Sequence, residues 1–393
     1  MSNIQSHIIS PPKRRIRVID TGGTIGTAFN IQFYDRDNLY PDRMELHLNG
    51  SGTAQSCVNI KAKFIRGAGF EDERLDRVVL NAQGERFVTI KRQISRSLAA
   101  NRGFCLHFCY NLAYEIAEIR FISFKQVRLS PPDSSGLSAK AYVWEDWDLS
   151  HHKINRPIRP QEVDVFNPTP EVVAAQIELA GGIEKYRGQI LYYTEEGENR
   201  YVLSSIDPVI DHVRAEAAVG RYNANSAENN FTPSHFLGLP HQETKEGERR
   251  LLNQFRDFQG TDNPNSLFVV FGVDEDNKPV IEPFEHQNFD GRLKLTGDTA
   301  KHQIMEYFGQ TPALRGTPVP GKLGNSAEIE NSFELYNEFT REERQDLTEI
   351  LARIDLYTSP NIKLSLSGNY NIIPLSFGGS VKDAGGFIKT EEE

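Results

Sequence analysis

The chain is poor in cysteine and in long hydrophobic runs, and each shortage excludes a class of protein. Its three cysteines, Cys57, Cys105 and Cys109, are too few for a disulfide framework and indicate a reducing compartment. Cys105 and Cys109 have no CxxC motif or histidine pair nearby, which favours buried small side chains over metal ligands. No apolar run is long enough for a transmembrane helix, and the first residues lack the apolar core of a secretion signal.

Hydrophobic residues and positive charge are also scarce. The hydrophobic share is 38%, the mean hydropathy is −0.50, and the formal net charge is −10. The single dense basic run is Lys13–Arg17. Because proteins that grip nucleic acid through phosphates usually carry a basic face, this composition disfavours tight, stationary DNA binding. DNA that slides past without sticking remains compatible with it.

One segment near the N-terminus has the appearance of a catalytic motif. Asp20–Ile25 resembles the TGGTI segment of bacterial-type asparaginases, in which a threonine attacks an amide. Such catalysis also needs a base and donors for the oxyanion. The nearest match to the second asparaginase motif, Gln259–Asn263, lies too late in the chain and differs at its first and last positions. We therefore interpret Thr24 as part of a glycine turn, with amide hydrolysis as an alternative.

The other candidate motifs also favour structural interpretations. Gly67–Phe70 lacks the Lys-Ser/Thr of a P-loop and is predicted as a turn after a strand. His151–His152 lies in a proline-rich loop and is predicted as a surface pair. The acidic clusters Asp274–Asp276 and Glu342–Glu343 lack the spacing of a calcium loop. The sequence thus predicts no catalytic, cofactor-binding or metal site and no cofactor.

The hydrophobic pattern predicts a strand-rich first half after an N-terminal arm. The predicted strands are Cys57–Ile65, Gly103–Tyr110, Ile116–Val127 and Tyr142–Trp144. The predicted helices are Glu85–Ala100 and Pro170–Leu179, the second ending at Gly181–Gly182. The predicted loop and irregular segments are Pro131–Gly136 and His151–Pro170.

The second half is predicted to be mainly helical. The predicted helices are Asp207–Asn229, 244–259, Asp298–Phe308 and 326–357, the last opened by a capping box of Asn325 and Glu328. The predicted strands are Leu267–Phe271 and Pro279–Phe284, and the tail after Ser359 is strand-like. One face of the first helix carries Ala217, Gly220, Ala224 and Ala227. Small residues permit close helix packing, either against copies of this chain or inside a core.

Three turn-and-cap segments resemble portal proteins of tailed bacteriophages. Glu306–Gly316 is similar to the portal segment in which a helix ends in Phe-Gly-Val-Pro-Pro, although it reads Phe-Gly-Gln-Thr-Pro here. Leu323–Phe333 is similar to the Gly-Asn-Ser turn that opens the next long helix. Asn229–Ser234 resembles an Asn-Gly turn after an earlier helix, with Asn230 in place of the glycine. The resemblance covers about residues 190–357.

The resemblance implies an α+β, portal-type fold with a strand-rich N-terminal half and a helical stem and wing in the C-terminal half. It implies four regions along the chain. They are an N-terminal arm at 1–30, a wing and clip region at 31–200, a stem and tunnel-proximal region at 201–320, and a long wing or crown helix with the C-terminal tail at 321–393.

The implied function is structural rather than enzymatic. A portal subunit forms a ring, usually a dodecamer, at one capsid vertex of a virion, and it assembles in the host cytoplasm. Its partners are copies of itself, the major capsid protein, the terminase, head-tail adaptor and neck proteins, and double-stranded DNA that passes through the channel during packaging and ejection; no membrane is involved. Another ring or adaptor of a phage-like particle is the first alternative, and an asparaginase-like amidohydrolase using Thr24 is the second.

Overall fold

The computed structural model describes most of the chain and divides it into two compact units. The described residues are 30–134, 136–148, 160–229, 233–239, 245–247, 249–250, 266–271, 280–283, 289–316, 326–362 and 369–377. The large unit comprises Met1–Leu46, Val58–Asp207 and Pro312–Glu393. The small unit comprises His47–Cys57 and Pro208–Thr311.

Helices and strands are mixed along the chain. The helices are α1 Tyr40–Gly50, α2 Gly52–Arg66, α3 Phe87–Asn101, α4 Pro170–Ala180, α5 Ile210–Asn229, α6 Phe289–Tyr307, α7 Ser326–Phe339 and α8 Arg341–Asp355. The strands are β1 Gly69–Phe70, β2 Gly103–Tyr110, β3 Ile116–Ile122, β4 Val127–Leu129, β5 Lys140–Val143, β6 Gln161–Val165, β7 Gln189–Thr194, β8 Pro233–Leu239, β9 Ser266–Phe271, β10 Val280–Pro283 and β11 Ile372–Ile373.

A six-stranded sheet is the centre of the large unit. Its strand order is β3-β2-β7-β6-β5-β4, and its pairs are antiparallel except for β6 with β7. The second strand in this order, β2, has Phe104, Cys105, Leu106 and Phe108 all buried, because both of its faces are covered. The predicted strands at Gly103–Tyr110 and at the start of Ile116–Val127 are confirmed, since β-branched and aromatic side chains suit a buried sheet.

Tight backbone approaches explain two glycines of this unit. Gly181 has a φ of 81° and ends α4, as the sequence predicted. Gly188 has a φ of 76°, and a Cβ at this position would collide with the carbonyl oxygen of Phe108 on the neighbouring strand. The residue just before β7 therefore tolerates no side chain.

The predicted strand Cys57–Ile65 is wrong, because these residues belong to α2. The apolar positions of this segment fit both periods, since a short run that alternates can also form a helical stripe. The structure buries Ala54, Cys57, Val58 and Ile65, which recur with helical spacing. Gly67 has a φ of 65° and follows this helix rather than a strand, and its N–H donates to the carbonyl of Lys63 at 3.0 Å.

The predicted long helix 326–357 is two helices, α7 and α8, that meet at Thr340. Thr340 has φ −105° and ψ 14°, outside the helical region. Its hydroxyl donates to the carbonyl of Tyr336 at 3.0 Å, and the Arg344 side chain donates to the carbonyl of Asn337 at 2.6 Å. The Tyr336 carbonyl also accepts from the backbone N–H of Thr340 at 3.1 Å, so the side chains add bonds to the last turn of α7 at the break. Asn325, the predicted cap residue, lies outside the described residues.

The small unit contains α5, α6 and a three-stranded sheet of order β10-β8-β9, in which β8 and β9 run parallel. The predicted helix at Asp207–Asn229 is confirmed: a single 3₁₀ turn at Asp207–Val209 leads into α5. Helix α6 begins at Phe289 rather than at the predicted Asp298. Strands β9 and β10 confirm two further predictions. Residues 245–247 and 249–250 are helical, and the rest of the predicted helix 244–259 lies outside the described residues.

Three further predictions have mixed outcomes. The predicted strand Tyr142–Trp144 overlaps β5, which is confirmed. The segment His151–Pro170 is not irregular throughout, because it contains β6, whose single buried residue, Val163, faces the core. The strand-like tail contains β11, which pairs with β1. None of the described helices is long and apolar enough to cross a membrane.

Candidate functional site

The small-residue face of α5 is partly used inside the small unit and partly open. A Cβ on Gly50 would lie 3.7 Å from that of Ala217, and a Cβ on Gly297 would lie 3.5 Å from Cγ1 of Val219. Gly220, by contrast, has nothing within 4 Å of where its Cβ would be. The sequence left open whether this face packs inside a core or against copies of the chain. Ala217 packs internally, whereas Gly220 and its neighbour Ala224 are exposed.

A groove of about 460 Å³ follows this face. Its lining includes four glycines, two alanines, Val219 and the polar or charged residues Glu216, Arg221, Asn223 and Lys301. Because most of these side chains are absent or a single methyl group, backbone forms much of the groove floor. A groove of this kind accepts a closely packed helix or loop more readily than a small polar ligand.

Glu216 joins α5 to the first turn of α2. Its carboxylate accepts hydrogen bonds from the hydroxyl of Ser51, from the backbone N–H of Thr53 at 3.3 Å and from the Thr53 hydroxyl at 2.7 Å. The Ser51 hydroxyl oxygen in turn accepts from the N–H of Ala54 at 3.1 Å and caps the helix. A carboxylate at a helix N-terminus is favoured by the helix dipole.

Sequence reasoning missed this contact. Ser51 before a helix is a recognisable cap signal, but the hydrophobic pattern predicts a strand-rich region around it. Glu216 lies 163 residues from Thr53, and no local pattern joins two such distant positions.

Helix α6 buries a single stripe. Gly297, Ala300, Ile304 and Phe308 are buried, at the spacing of one helix face. On the other faces Leu295 is 69% exposed and Tyr307 is 42% exposed. Both helices of the small unit therefore present apolar side chains to solvent.

Several residues singled out from the sequence lie outside the described residues. They are Thr24, the segment Gln259–Asn263, His151–His152 and Asp274–Asp276. Glu342–Glu343 lies at the start of α8, where Glu343 forms an ion pair with Lys61 at 2.9 Å. Cys105 is buried, and burial raises the pKa of its thiol and also that of the partly buried Cys109 thiol. Within the described ranges, no three or more His, Cys, Asp or Glu side chains form a cluster that could hold a metal ion.

Arg128, a fully buried cation of the large unit, has a structural role. The Arg128 guanidinium donates to the Asn38 side-chain oxygen at 2.6 Å and to the Asn38 carbonyl at 2.7 Å, and it lies 5.1 Å from the centre of the Trp147 ring. Burial lowers the pKa of Arg128, and these contacts replace the water that the charge has lost.

Comparison with known proteins identifies the fold. No protein-family model matches the chain, and no curated protein matches it. It is similar to a chain in the neck of a native gene transfer agent (GTA) particle computed with C12 symmetry: the identity is 14%, the match covers 83% of this chain and 82% of that chain, and the TM-score is 0.52. It is also similar to a chain in the neck of an empty GTA particle computed with C6 symmetry. There the identity is 14%, the match covers 88% of this chain and 86% of that chain, and the TM-score is 0.50.

A third match is an HK97 family phage portal protein from Corynebacterium diphtheriae. The identity is 10%, the match covers 80% of this chain and 90% of that chain, and the TM-score is 0.45. We base the fold assignment on the two neck structures, because the third superposes less well. The chain has an α+β, portal-type fold, so the predicted fold class and the predicted portal resemblance are confirmed at the level of the fold.

Proposed function

We propose that this chain is the ring-forming portal subunit of a tailed phage or a related particle. The observation that carries the proposal is the similarity of fold to a chain in a neck with C12 symmetry, over most of both chains. A closed ring places every subunit in an equivalent position, so each one buries two different faces against its neighbours.

The surface of the small unit supports this proposal. The stripe from Gly220 to Ala224 is open, and Leu295 and Tyr307 are exposed on α6. Clustered exposed apolar side chains mark an interaction surface in a soluble protein. In the proposed ring, α5 and α6 belong to the stem region at 201–320, and the small residues permit a neighbouring element to approach closely.

The finer roles of the proposal follow from a portal at a capsid vertex. The subunit would dock the terminase during packaging and the neck adaptors afterwards, contact the major capsid protein, and let duplex DNA pass. A dodecamer would carry a formal charge of 12 × −10 = −120. A predominantly acidic channel would avoid the phosphate contacts that slow translocation, while salt would confine the repulsion to within about 8–10 Å of the wall.

Electron microscopy of the purified protein tests ring formation. We expect closed rings with a central hole for the natural chain. Gly220→Trp fills the open stripe with a bulky side chain, so it should abolish the rings while leaving the circular dichroism of the subunit unchanged. Ala175→Trp, at an exposed position of α4, is the matched control and should assemble normally. Sedimentation as a monomer at every concentration would count against the proposal.

Two further measurements separate the alternatives. Isolated particles that contain the ring but no DNA would favour a different ring or adaptor of a phage-like particle. Thr24→Ala is expected to leave assembly intact, and the natural chain is expected to release no ammonia from asparagine; hydrolysis that this variant lacks would favour the amidohydrolase. Tight, salt-sensitive binding of rings to linear duplex DNA at low salt would contradict an acidic channel.

A further inference from the structure

The large unit has a second groove, of about 420 Å³, between α2 and α3. Four cations line it: Lys63 and Arg66 from α2, and Arg92 and Arg96 from α3. The remaining lining residues are Asn59, Ala62 and Gln93, so no carboxylate lies on its walls. We call this feature the basic groove.

Several cations elsewhere in the unit have carboxylate partners, such as Lys61 with Glu343 at 2.9 Å and Arg102 with Glu195 at 2.6 Å. Lys63, Arg66 and Arg92 form no ion pair with any described residue.

Arg96, the fourth cation, is influenced by a carboxylate that it shares with another cation. Glu45 raises the pKa of Arg96 while burial, the larger effect, lowers it, and Glu45 is itself ion-paired with Lys125 at 2.6 Å. Four like charges around one groove repel one another, which is unfavourable unless an anion enters. In a chain with a net charge of −10, such a groove indicates an external anionic partner.

The same unit carries a matching acidic surface on α7. Glu330, Glu334 and Glu338 follow one another at four-residue intervals, and all three are exposed. We call this row the acidic ridge. Glu338 pairs with Arg341 at 3.0 Å on the surface, whereas Glu330 and Glu334 form no ion pair within the described part of the chain.

The spacing of the acidic ridge matches that of the groove. Side chains four apart on a helix have Cβ atoms about 5–6 Å from each other. Arg92 and Arg96 have this spacing on α3, and Lys63 and Arg66 have a similar one on α2. A helix lying along the basic groove would therefore meet a cation at each turn.

A chain cannot place its own acidic ridge in its own basic groove. Helix α7 packs on the side of α2 that carries Phe64, whose ring centre lies 4.8 Å from that of Tyr336 and 5.2 Å from that of Phe333. Arg66 lies two residues from Phe64, so the two side chains are about 160° apart around the helix. The groove and α7 are thus on opposite sides of α2.

We propose that the acidic ridge of one copy docks in the basic groove of the next copy around the ring. The inference rests on the proposed function, because two different complementary surfaces on one subunit generate a closed ring only when the rotation between copies closes. An acidic peptide or a nucleic acid is a less suitable occupant. The groove has Ala62 as its one apolar side chain to anchor a peptide, and the acidic ridge supplies carboxylates at the required spacing.

Charge reversal on each surface tests this interface. The groove variant is Lys63→Glu with Arg92→Glu, and the ridge variant is Glu330→Lys with Glu334→Lys; all four side chains are exposed, so the subunit should fold. Each variant alone brings like charges together, and we expect the subunit concentration at half-assembly to rise by about tenfold or more. Rings of the natural chain should also weaken with added salt.

A mixture of the two variants gives the sharpest result. The changed groove of the groove variant attracts the changed ridge of the ridge variant. The natural groove of the ridge variant attracts the natural ridge of the groove variant. An equimolar mixture should therefore recover rings in which the variants alternate, visible by mass spectrometry as equal numbers of each. The matched controls, Lys185→Glu with Arg200→Glu and Glu178→Lys with Glu184→Lys, change the same charges on exposed residues and should assemble as the natural chain does.

The outcomes separate the inference from the proposed function. If the natural chain forms no ring, the proposed function fails and the inference fails with it. If the natural chain and both variants form rings equally well, the interface is wrong while the ring stands. Failure of the mixture to recover assembly also overturns the interface, and a groove variant that assembles normally but loses binding to duplex DNA would assign the groove to nucleic acid instead.

Discussion

The two units differ in how much of each helix they bury. In the large unit, nine of the fifteen residues of α3 are buried, including Phe87, Ile94 and Leu98. In the small unit, Ile210 and Val213 are the buried residues among 210–225 of α5. The large unit therefore contains a core that its own chain completes, whereas the helices of the small unit retain surface for other contacts.

This difference has energetic consequences. Burial of apolar surface stabilises a fold by roughly 25 cal/mol per Å², so the sheet and α3 supply most of the large unit's stability. In the small unit a few specific contacts, such as those of Glu216, carry a larger share. Substitutions in the core should thus cost stability, and substitutions on the exposed face of α5 should chiefly affect association.

The largest effect is expected in the core of the large unit. Phe104 is 0% exposed on β2, and its ring centre lies 5.1 Å from that of Tyr193. Phe104→Ala leaves a cavity and should lower the free energy of unfolding by about 3–5 kcal/mol, measured by urea denaturation. Leu179→Ala, at a position 88% exposed, is the control and should change it by no more than about 0.5 kcal/mol. Equal effects at both positions would remove the contrast between core and surface.

The second effect concerns a buried arginine where α7 and α8 meet. Arg344 donates to the carbonyl of Phe64 at 3.1 Å, to that of Asn337 at 2.6 Å and to the Thr340 hydroxyl at 2.7 Å. Arg344→Ala leaves these acceptors without their donor and should cost about 2–3 kcal/mol in the same denaturation experiment. Arg341→Ala removes an exposed ion pair with Glu338 and should cost less than about 1 kcal/mol. A larger loss from the second variant would contradict this account.

A smaller effect is expected at the main anchor of α5. Glu216→Ala removes the acceptor for Ser51 and Thr53 at the start of α2 and should cost about 1–2 kcal/mol. Glu216→Gln keeps one acceptor oxygen and should recover part of that loss. Arg214→Ala, on an exposed position of α5, should be near neutral. If all three variants unfold at the same urea concentration, Glu216 is not an anchor of the small unit.

The smallest effect is a pH dependence of stability that arises from His107 on β2. Burial is the main cause that lowers the pKa of His107, whose Nε2 lies 2.6 Å from the carbonyl oxygen of Arg187. The folded protein therefore favours neutral His107, and below about pH 6.5 the unfolded chain takes up a proton that the folded chain resists. The contribution of His107 to stability is therefore present above about pH 6.5 and is lost as the pH falls.

His107→Gln tests this dependence, because glutamine keeps a neutral donor for the Arg187 carbonyl. Between about pH 7.5 and 5.5 the natural chain should lose about 1–3 °C more in Tm than the variant. Parallel curves for the two proteins would show that His107 does not contribute.

The sequence determined the elements whose signals are local. The apolar spacing in α3, the proline and glycine boundaries of α4, the start of α5 near Asp207 and the strands β2 and β9 were all predicted correctly. Each of these depends on side chains within one element or its caps, so the pattern is sufficient. The turn signals also predicted the portal-type fold, because their order along the chain is specific.

Tertiary structure decided the features that depend on distant residues. Cys57–Ile65 fits a strand and a helix equally well as a pattern, and packing of Phe64 against α7 selects the helix. The break at Thr340 depends on Arg344 reaching back to α2. Which part of the α5 face is buried, and where the basic groove lies relative to the acidic ridge, also depend on contacts between elements far apart in sequence. Hydrophobic periodicity indicates that a face exists, but burial is a property of what packs against it.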